Sequence, residues 1–296
     1  MKMSEQGKGL FFVILSGFLW GIAGCISKIL LNGGGTPILL IFSRNIFGVT
    51  CLGAFMYFFN KKMFHIDKCD IKPLIVCCIV LFIYSAAYFF SIYFMNVSIA
   101  VVLLYMYPTF VAVASVFLYK ERLTWQVTTA LALTLLGMAL SVNLFTEGLG
   151  LVTVPGFCLS IFAAIGAAGY CIYCKKLSGK YHSFTINFYG LLFTVFAYGV
   201  ITLLSDPAPL RKPELAAALG AAVPYIGGFL TYAIGVKYLR PSYASIFGTT
   251  EALFNVLLAA IILGEIITGS QLIGMVFIIG AIVMLELTTK NKPENS

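Results

Sequence analysis

The chain has 296 residues, 60% of them hydrophobic and only 10% charged, with a mean hydropathy of +0.99. An ordinary soluble domain carries about 25% charged residues, so a water-soluble enzyme is excluded. The net charge of +8 does not argue for a nucleic-acid partner, because the basic residues gather at the ends of apolar runs and not along one polar face.

About 20 apolar residues cross the hydrocarbon core of a bilayer as one helix. Ten such runs follow one another, at 10–31, 37–59, 73–95, 98–119, 124–142, 152–174, 183–204, 215–236, 242–264 and 268–287. Span one carries Gly17, Trp20 and Gly21 and ends on Lys28; the glycine pair permits close helix contact. Ile22–Cys25 has the look of a lipoprotein cleavage site, but Ile26 to Leu31 continue the apolar run, so the segment is read as a retained helix. Span two holds Arg44, about 10 Å from its end, and span three holds Tyr84 and Tyr88 near its middle. In span four, Tyr107 precedes Pro108, whose missing N–H frees a backbone carbonyl at membrane depth.

Span six contains Cys171 and Cys174 at metal or redox spacing, but no second such pair exists and His65 and His182 stand alone. The eight cysteines are therefore read as small hydrophobes, and no metal or cofactor is expected. In span eight, Pro224-Tyr225-Ile226-Gly227-Gly228 predicts a kink or hinge, and Tyr232 follows one turn later. Span nine carries Glu251 as its tenth residue, about 15 Å deep at 1.5 Å per residue, with Asn255 one turn further on the same face. Glu121 and Glu265 fall just beyond spans four and nine.

Fifteen of the 19 Lys and Arg residues lie on the N-terminal side of the membrane if the spans alternate, against Lys28, Arg211 and Lys212 on the other; Arg44 is within a span. That bias predicts cytoplasmic termini and a cytoplasmic (inner) membrane location. The halves also resemble each other. Gly9–Lys28 matches Gly156–Lys175 at an offset of 147 residues, and Ser98, Ala100, Glu121 and Thr124 match Ser242, Ala244, Glu265 and Thr268 at 144. At that offset Tyr88 pairs with Tyr232 and Tyr107 with Glu251. Because five spans is an odd number, the second half is expected upside down relative to the first. The expected fold is thus an all-α integral membrane protein of ten helices, in two inverted five-helix repeats over 1–146 and 147–296. Such halves place a substrate site near the midplane, where they meet.

Trp20-Gly21 with Lys28, Arg44, Pro108, Glu121-Arg122-Leu123-Thr124, and Glu251 ahead of Gly264-Glu265 together resemble the EamA-type branch of the drug/metabolite transporter superfamily. The resemblance covers essentially the whole chain. It departs at Ala252, where the family usually has proline, which leaves a helix break in span nine open. It departs again at Ala167-Ala168, where the first half has Trp20-Gly21. The resemblance implies a secondary transporter of amino acids, other small metabolites or drugs, mostly outward. An importer of an organic cation or other metabolite in the same fold is the alternative, with an intramembrane enzyme or a non-transporting membrane receptor or subunit more remote.

A charged group at the midplane costs roughly 2.5–3.5 kcal/mol, so Glu251 is expected to face a cavity or a partner. It is the leading candidate to bind a substrate ammonium, to carry a coupling proton, or to do both; an interhelical hydrogen bond is the competing structural role. Asn255, Tyr107, Tyr84, Tyr88, Tyr232, Tyr225, Trp20 and Arg44 are the further candidates for substrate contact, with plain packing the alternative for each aromatic. Arg44 would hold a substrate carboxylate or pair with an acid. Lys28, Pro108, Pro224, Gly227, Gly228, Glu121 and Glu265, beside Glu251, are candidates for coupling or gating. Lys28 also has the reach to snorkel to the headgroups. The expected partners are a small solute, the bilayer, a proton as coupling ion and a second copy of the chain, with no nucleic acid. No Walker A, His-Glu-x-x-His or Gly-x-Ser-x-Gly motif occurs in the sequence, which argues against an ATPase or an intramembrane enzyme.

Overall fold

In hydrocarbon a chain must satisfy its backbone polar groups internally, and a helix does so within one segment. The computed structural model describes residues 4–32, 37–95, 97–144, 152–205 and 212–290, and every regular element among them is helical. The first half comprises α1 (Glu5–Asn32), α2 (Pro37–Phe59), α3 (Ile71–Phe94), α4 (Val97–Leu104), α5 (Tyr107–Tyr119) and α6 (Trp125–Ser141). The second comprises α7 (Val154–Ser178), α8 (Ser183–Ser205), α9 (Lys212–Tyr238), α10 (Pro241–Gly248), α11 (Thr250–Leu263) and α12 (Gly269–Lys290). Among the described residues, 9 segments are long and apolar enough to cross a membrane, and α6, with 17 residues, is a shorter apolar helix. Lys2, Arg211, Lys292 and the 146/147 boundary lie outside the described residues, as do the side chains of Ser98, Lys212 and Lys290.

Spans four and nine are each broken into two helices, α4–α5 and α10–α11, and the two breaks have different causes. Pro108 offers no N–H to the carbonyl of Leu104, so the chain turns through Tyr105 and Met106, with Met106 N–H bonding to Leu103 O at 3.2 Å. In span nine no proline is present. There the hydroxyls of Thr249 and Thr250 take the carbonyls of Ile246 and Phe247, at 2.6 and 2.8 Å, in competition with the backbone ladder. The break left open by Ala252 is therefore present, without a proline, at two threonines that bond back to the preceding turn. Both broken spans end alike: Lys120 (φ 54°) and Gly264 (φ 71°) are left-handed, and their N–H groups bond back to Ser115 O and Ala259 O.

At Pro224, where a kink or hinge is expected, the helix is not interrupted. Helix α9 runs continuously from Lys212 to Tyr238 with Pro224 inside it. Its glycines serve packing instead: a Cβ on Gly228 would collide with the Trp20 ring, and one on Gly227 would meet Leu19 Cδ1 at 3.2 Å.

Each half packs mainly against the other. Helix α1 lies along α9 and α11, α3 lies along α7, α2 packs on α8 and α9, and α6 packs on α12. Glycine sets the closest approaches. On α1, a Cβ on Gly17 would strike Thr250 and the backbone of Glu251; on α7, one on Gly166 would lie 2.7 Å from the backbone N of Tyr84. Outward-facing side chains such as Phe117, Leu203 and Leu204 are exposed and apolar, as lipid requires. Inside, Asn187 on α8 ties three helices together: it accepts from Tyr170 Oη at 3.1 Å and donates to Phe229 O at 3.2 Å.

Candidate functional site

The helices sort into two groups around one cavity. Helices α1, α9, α10 and α11 pack together, as do α3, α4, α5 and α7. Between them lies a cavity of about 610 Å³. It runs from the breaks in the two broken spans to the end of the molecule where Lys28, Glu265 and Gln271 stand. There α4, through Val97, Val101 and Leu104, and α11, through Asn255, Val256 and Ala259, form opposite walls. At the far end the groups meet instead, where α10 packs on both α5 and α7.

The break in span nine puts Glu251 at the second position of α11, with its side chain at the cavity. The hydroxyl-bearing ring of Tyr105 lines the same cavity, within electrostatic reach of the Glu251 carboxyl. Tyr105 is the residue the sequence reading missed; it sits in the turn made by Pro108, and that turn brings it and Tyr107 to the same cavity. Tyr107 itself donates to Ser245 O at 2.8 Å, closing the floor, and Gly248 leaves room for that hydroxyl. Tyr84 stands within electrostatic reach of both Glu251 and Arg44, and Tyr88 within reach of Glu251.

Arg44 enters from α2, its guanidinium carbon 3.4 Å from the centre of the Tyr225 ring. That is a cation–π contact with no carboxylate in it. An edge-to-face series continues the wall: Tyr225 to Phe229 at 4.9 Å, Phe229 to Trp20 at 5.1 Å and to Tyr170 at 5.5 Å. Among the described residues neither Arg44 nor Glu251 has an ion-pair partner; the ion pairs are Lys28–Glu265, His65–Asp67 and Lys180 with Asp67 and Asp70. Arg44 Nε and Trp20 Nε1 are buried donors without an acceptor, a costly state for groups of this kind.

Of the expected contact residues, Glu251, Asn255, Tyr107, Tyr84, Tyr88, Tyr232, Tyr225, Trp20 and Arg44 all line this one cavity, and Lys28 and Glu265 stand at its mouth. Pro108 shapes it from within the turn, while Pro224, Gly227 and Gly228 lie outside its wall. Lys28 does not snorkel alone; its ammonium is 2.6 Å from Glu265 Oε1. Glu121 sits at the opposite end, where Ser242 Oγ donates to its Oε2. Burial raises its carboxyl above the ordinary range, against the Ser242 bond and the nearby Arg240 and Lys175 charges. Cys171 and Cys174 are buried beneath the aromatic wall, and no group of three His, Cys, Asp or Glu among the described residues could hold a metal.

Apolar spans, two broken helices and an aromatic cavity with a few charged and polar groups at their breaks define a multi-pass membrane protein with a solute-sized chamber. The family model of EamA-like transporters matches residues 7–143 and again 154–287. The chain belongs to the EamA-like transporter family, a part of the drug/metabolite transporter superfamily. It is 27% identical over 276 residues to an uncharacterized transporter of Archaeoglobus fulgidus, covering 92% of this chain and 94% of that one. It is 24% identical over 255 residues to one of Synechocystis sp., covering 84% and 75%. An uncharacterized inner membrane transporter of Salmonella typhimurium is 22% identical over 303 residues, covering 98% and 99%. A solved crystal structure shares the fold, with a TM-score of 0.81 at 18% identity over 94% of this chain and 97% of that one.

Proposed function

We propose that this membrane transporter is a secondary carrier for a small zwitterionic, amphipathic solute, an amino acid or a related metabolite, which it exports by alternating access. The observation that carries the reading is the unpaired Arg44 and unpaired Glu251 in one aromatic cavity. A charge in low dielectric without a partner is costly, and a ligand with a carboxylate and an ammonium would neutralise both. The aromatic wall between them would take its apolar part.

The doubled family match, the breaks at equivalent positions and the matching left-handed ends at Lys120 and Gly264, 144 residues apart, support two related halves. The packing supports an inverted arrangement: α1 on α9 has its counterpart in α7 on α3, with α2 on α8 and α6 on α12. With cytoplasmic termini, as the lysine and arginine bias supports, the Lys28 end is external and the cavity described here faces outward. The inner membrane relative favours the same location for this chain. Glu251 would bind the ammonium in competition with a proton, so that an inward proton gradient drives the solute out.

Ligand-dependent thermal stability of the purified protein tests this, across amino acids, carboxylates, organic cations, nucleobases and sugars. Zwitterions should stabilise wild type and lose that effect in both Glu251→Gln and Arg44→Gln. Stabilisation by cations alone, lost only in Glu251→Gln, would replace the reading with that of an organic-cation carrier.

A further inference from the structure

The two ends of the cavity carry the same pair of residues in different arrangements. At the open end Lys28 of α1 and Glu265, which follows α11, form an ion pair at 2.6 Å. Both belong to one group of helices, so the pair does not cross the gap. Their counterparts are Lys175 of α7, at an offset of 147, and Glu121, which follows α5, at 144. These two also belong to one group, close enough to feel each other's charge, yet they form no ion pair. Each reaches across to the other group instead. Lys175 Nζ donates to Lys237 O of α9 at 2.8 Å, and Glu121 accepts from Ser242 of α10. The second carboxylate oxygen, Glu121 Oε1, is buried with no hydrogen-bond partner.

We propose that the two Lys–Glu pairs form a reciprocal latch. At whichever end is open, lysine and glutamate pair within their own group of helices; at whichever end is closed, they part and bind across the gap. When the Glu121 end opens, Lys175 loses Lys237 O, Glu121 loses Ser242, and the two are left facing each other. Each end thus trades one set of contacts for another of similar strength, which keeps the two states near balance. Half-exposed ion pairs suit this task, because they contribute little individually and leave the solute free to tip the equilibrium. The latch rests on the alternating-access reading above and assigns it four residues.

Hydrogen–deuterium exchange on the full-length protein in nanodiscs tests it through conservative variants. Glu121→Gln keeps a carbonyl for Ser242 but cannot pair with Lys175. It should therefore favour the closed state of that end and slow exchange over residues 119–124 and 237–243 by roughly two- to fivefold. Glu265→Gln, and independently Lys28→Gln, should speed exchange over the same residues by a similar factor, and Glu121→Gln/Glu265→Gln should return it near wild type. Shifts of Glu121→Gln and Glu265→Gln in the same direction, or no shift, would overturn the latch. If the Glu121 end of wild type exchanges only through global unfolding, alternating access itself fails; if it opens locally but the variants do not move it, the latch alone fails.

Discussion

Spans four and nine break 144 residues apart in sequence, one at a proline and one without, and the difference explains why matching breaks yield an asymmetric site. Pro108 breaks span four by subtraction: a donor is missing, so a turn forms whatever surrounds it. Span nine breaks without a proline, at Thr249 and Thr250, whose hydroxyls bond the carbonyls of Ile246 and Phe247. The first break presents two tyrosines, Tyr105 and Tyr107; the second presents a carboxyl, Glu251, at the position equivalent to Tyr107. In the structure, the carboxyl shares its cavity with Tyr105 and Tyr107 of the other break. The two breaks thus complete one site between them.

The largest expected effect comes from removing the charged half of that site. Glu251→Gln should weaken binding of an ammonium-bearing solute by about ten- to a hundredfold, since a hydrogen bond to a charged group contributes roughly 1.5–3 kcal/mol. Isothermal titration or the thermal-shift midpoint would read it, and unchanged affinity would move Glu251 out of the site. Tyr105→Phe should weaken binding less, by roughly threefold to tenfold, by removing a cavity-lining hydroxyl. The proline-built break resists repair more than the threonine-built one. Thr249→Val/Thr250→Val should restore ladder hydrogen bonds between α10 and α11, which slower amide exchange over 246–254 would report, with transport reduced because Glu251 is re-aimed.

Smaller effects distinguish the two helix ends. Gly264 has φ +71° with nothing within 4 Å of a would-be Cβ, so Gly264→Ala costs only the left-handed conformation, about 1–2 kcal/mol. At Lys120, φ 54°, the change runs the other way: Lys120→Gly should stabilise by about 1 kcal/mol or less. Melting temperatures of the two variants should move in opposite directions.

How much of this was legible in the sequence depends on whether a residue acts through its own chemistry or through where the chain bends. The spans, Glu251, Arg44 and the mid-span tyrosines stand out because charge and hydroxyl are rare and costly in hydrocarbon. Their convergence on one cavity could not be read, since it needs the packing of α1, α9 and α11 against α3, α4 and α7. Tyr105 was hidden because on an unbroken helix it lies about 200° from Tyr107; only the turn brings both to the same side. Pro224 is the reverse case. A proline costs one helical hydrogen bond, and the packing of α9 against Trp20 and α1 absorbs that cost without a break.

The smallest effect expected is a pH dependence at the Glu121 end. Burial raises the Glu121 carboxyl above its unfolded value, and the Ser242 bond with the Arg240 and Lys175 charges only partly opposes this. The folded state therefore holds the proton more tightly than the unfolded state does. Its contribution to stability is fully present below the unfolded pKa and is lost as pH rises through the folded one. On the same scale Asp67 has the opposite sign: its bond to Lys180 holds it below the ordinary range, so its contribution is present above the unfolded pKa and is lost on acidification. Replacing Glu121 with Gln should remove the first dependence and leave the second, so the difference in melting temperature between variant and wild type should grow in favour of the variant as pH rises. A difference that stays flat with pH would mean that the carboxyl is as well solvated in the fold as outside it, contrary to the burial of its Oε1.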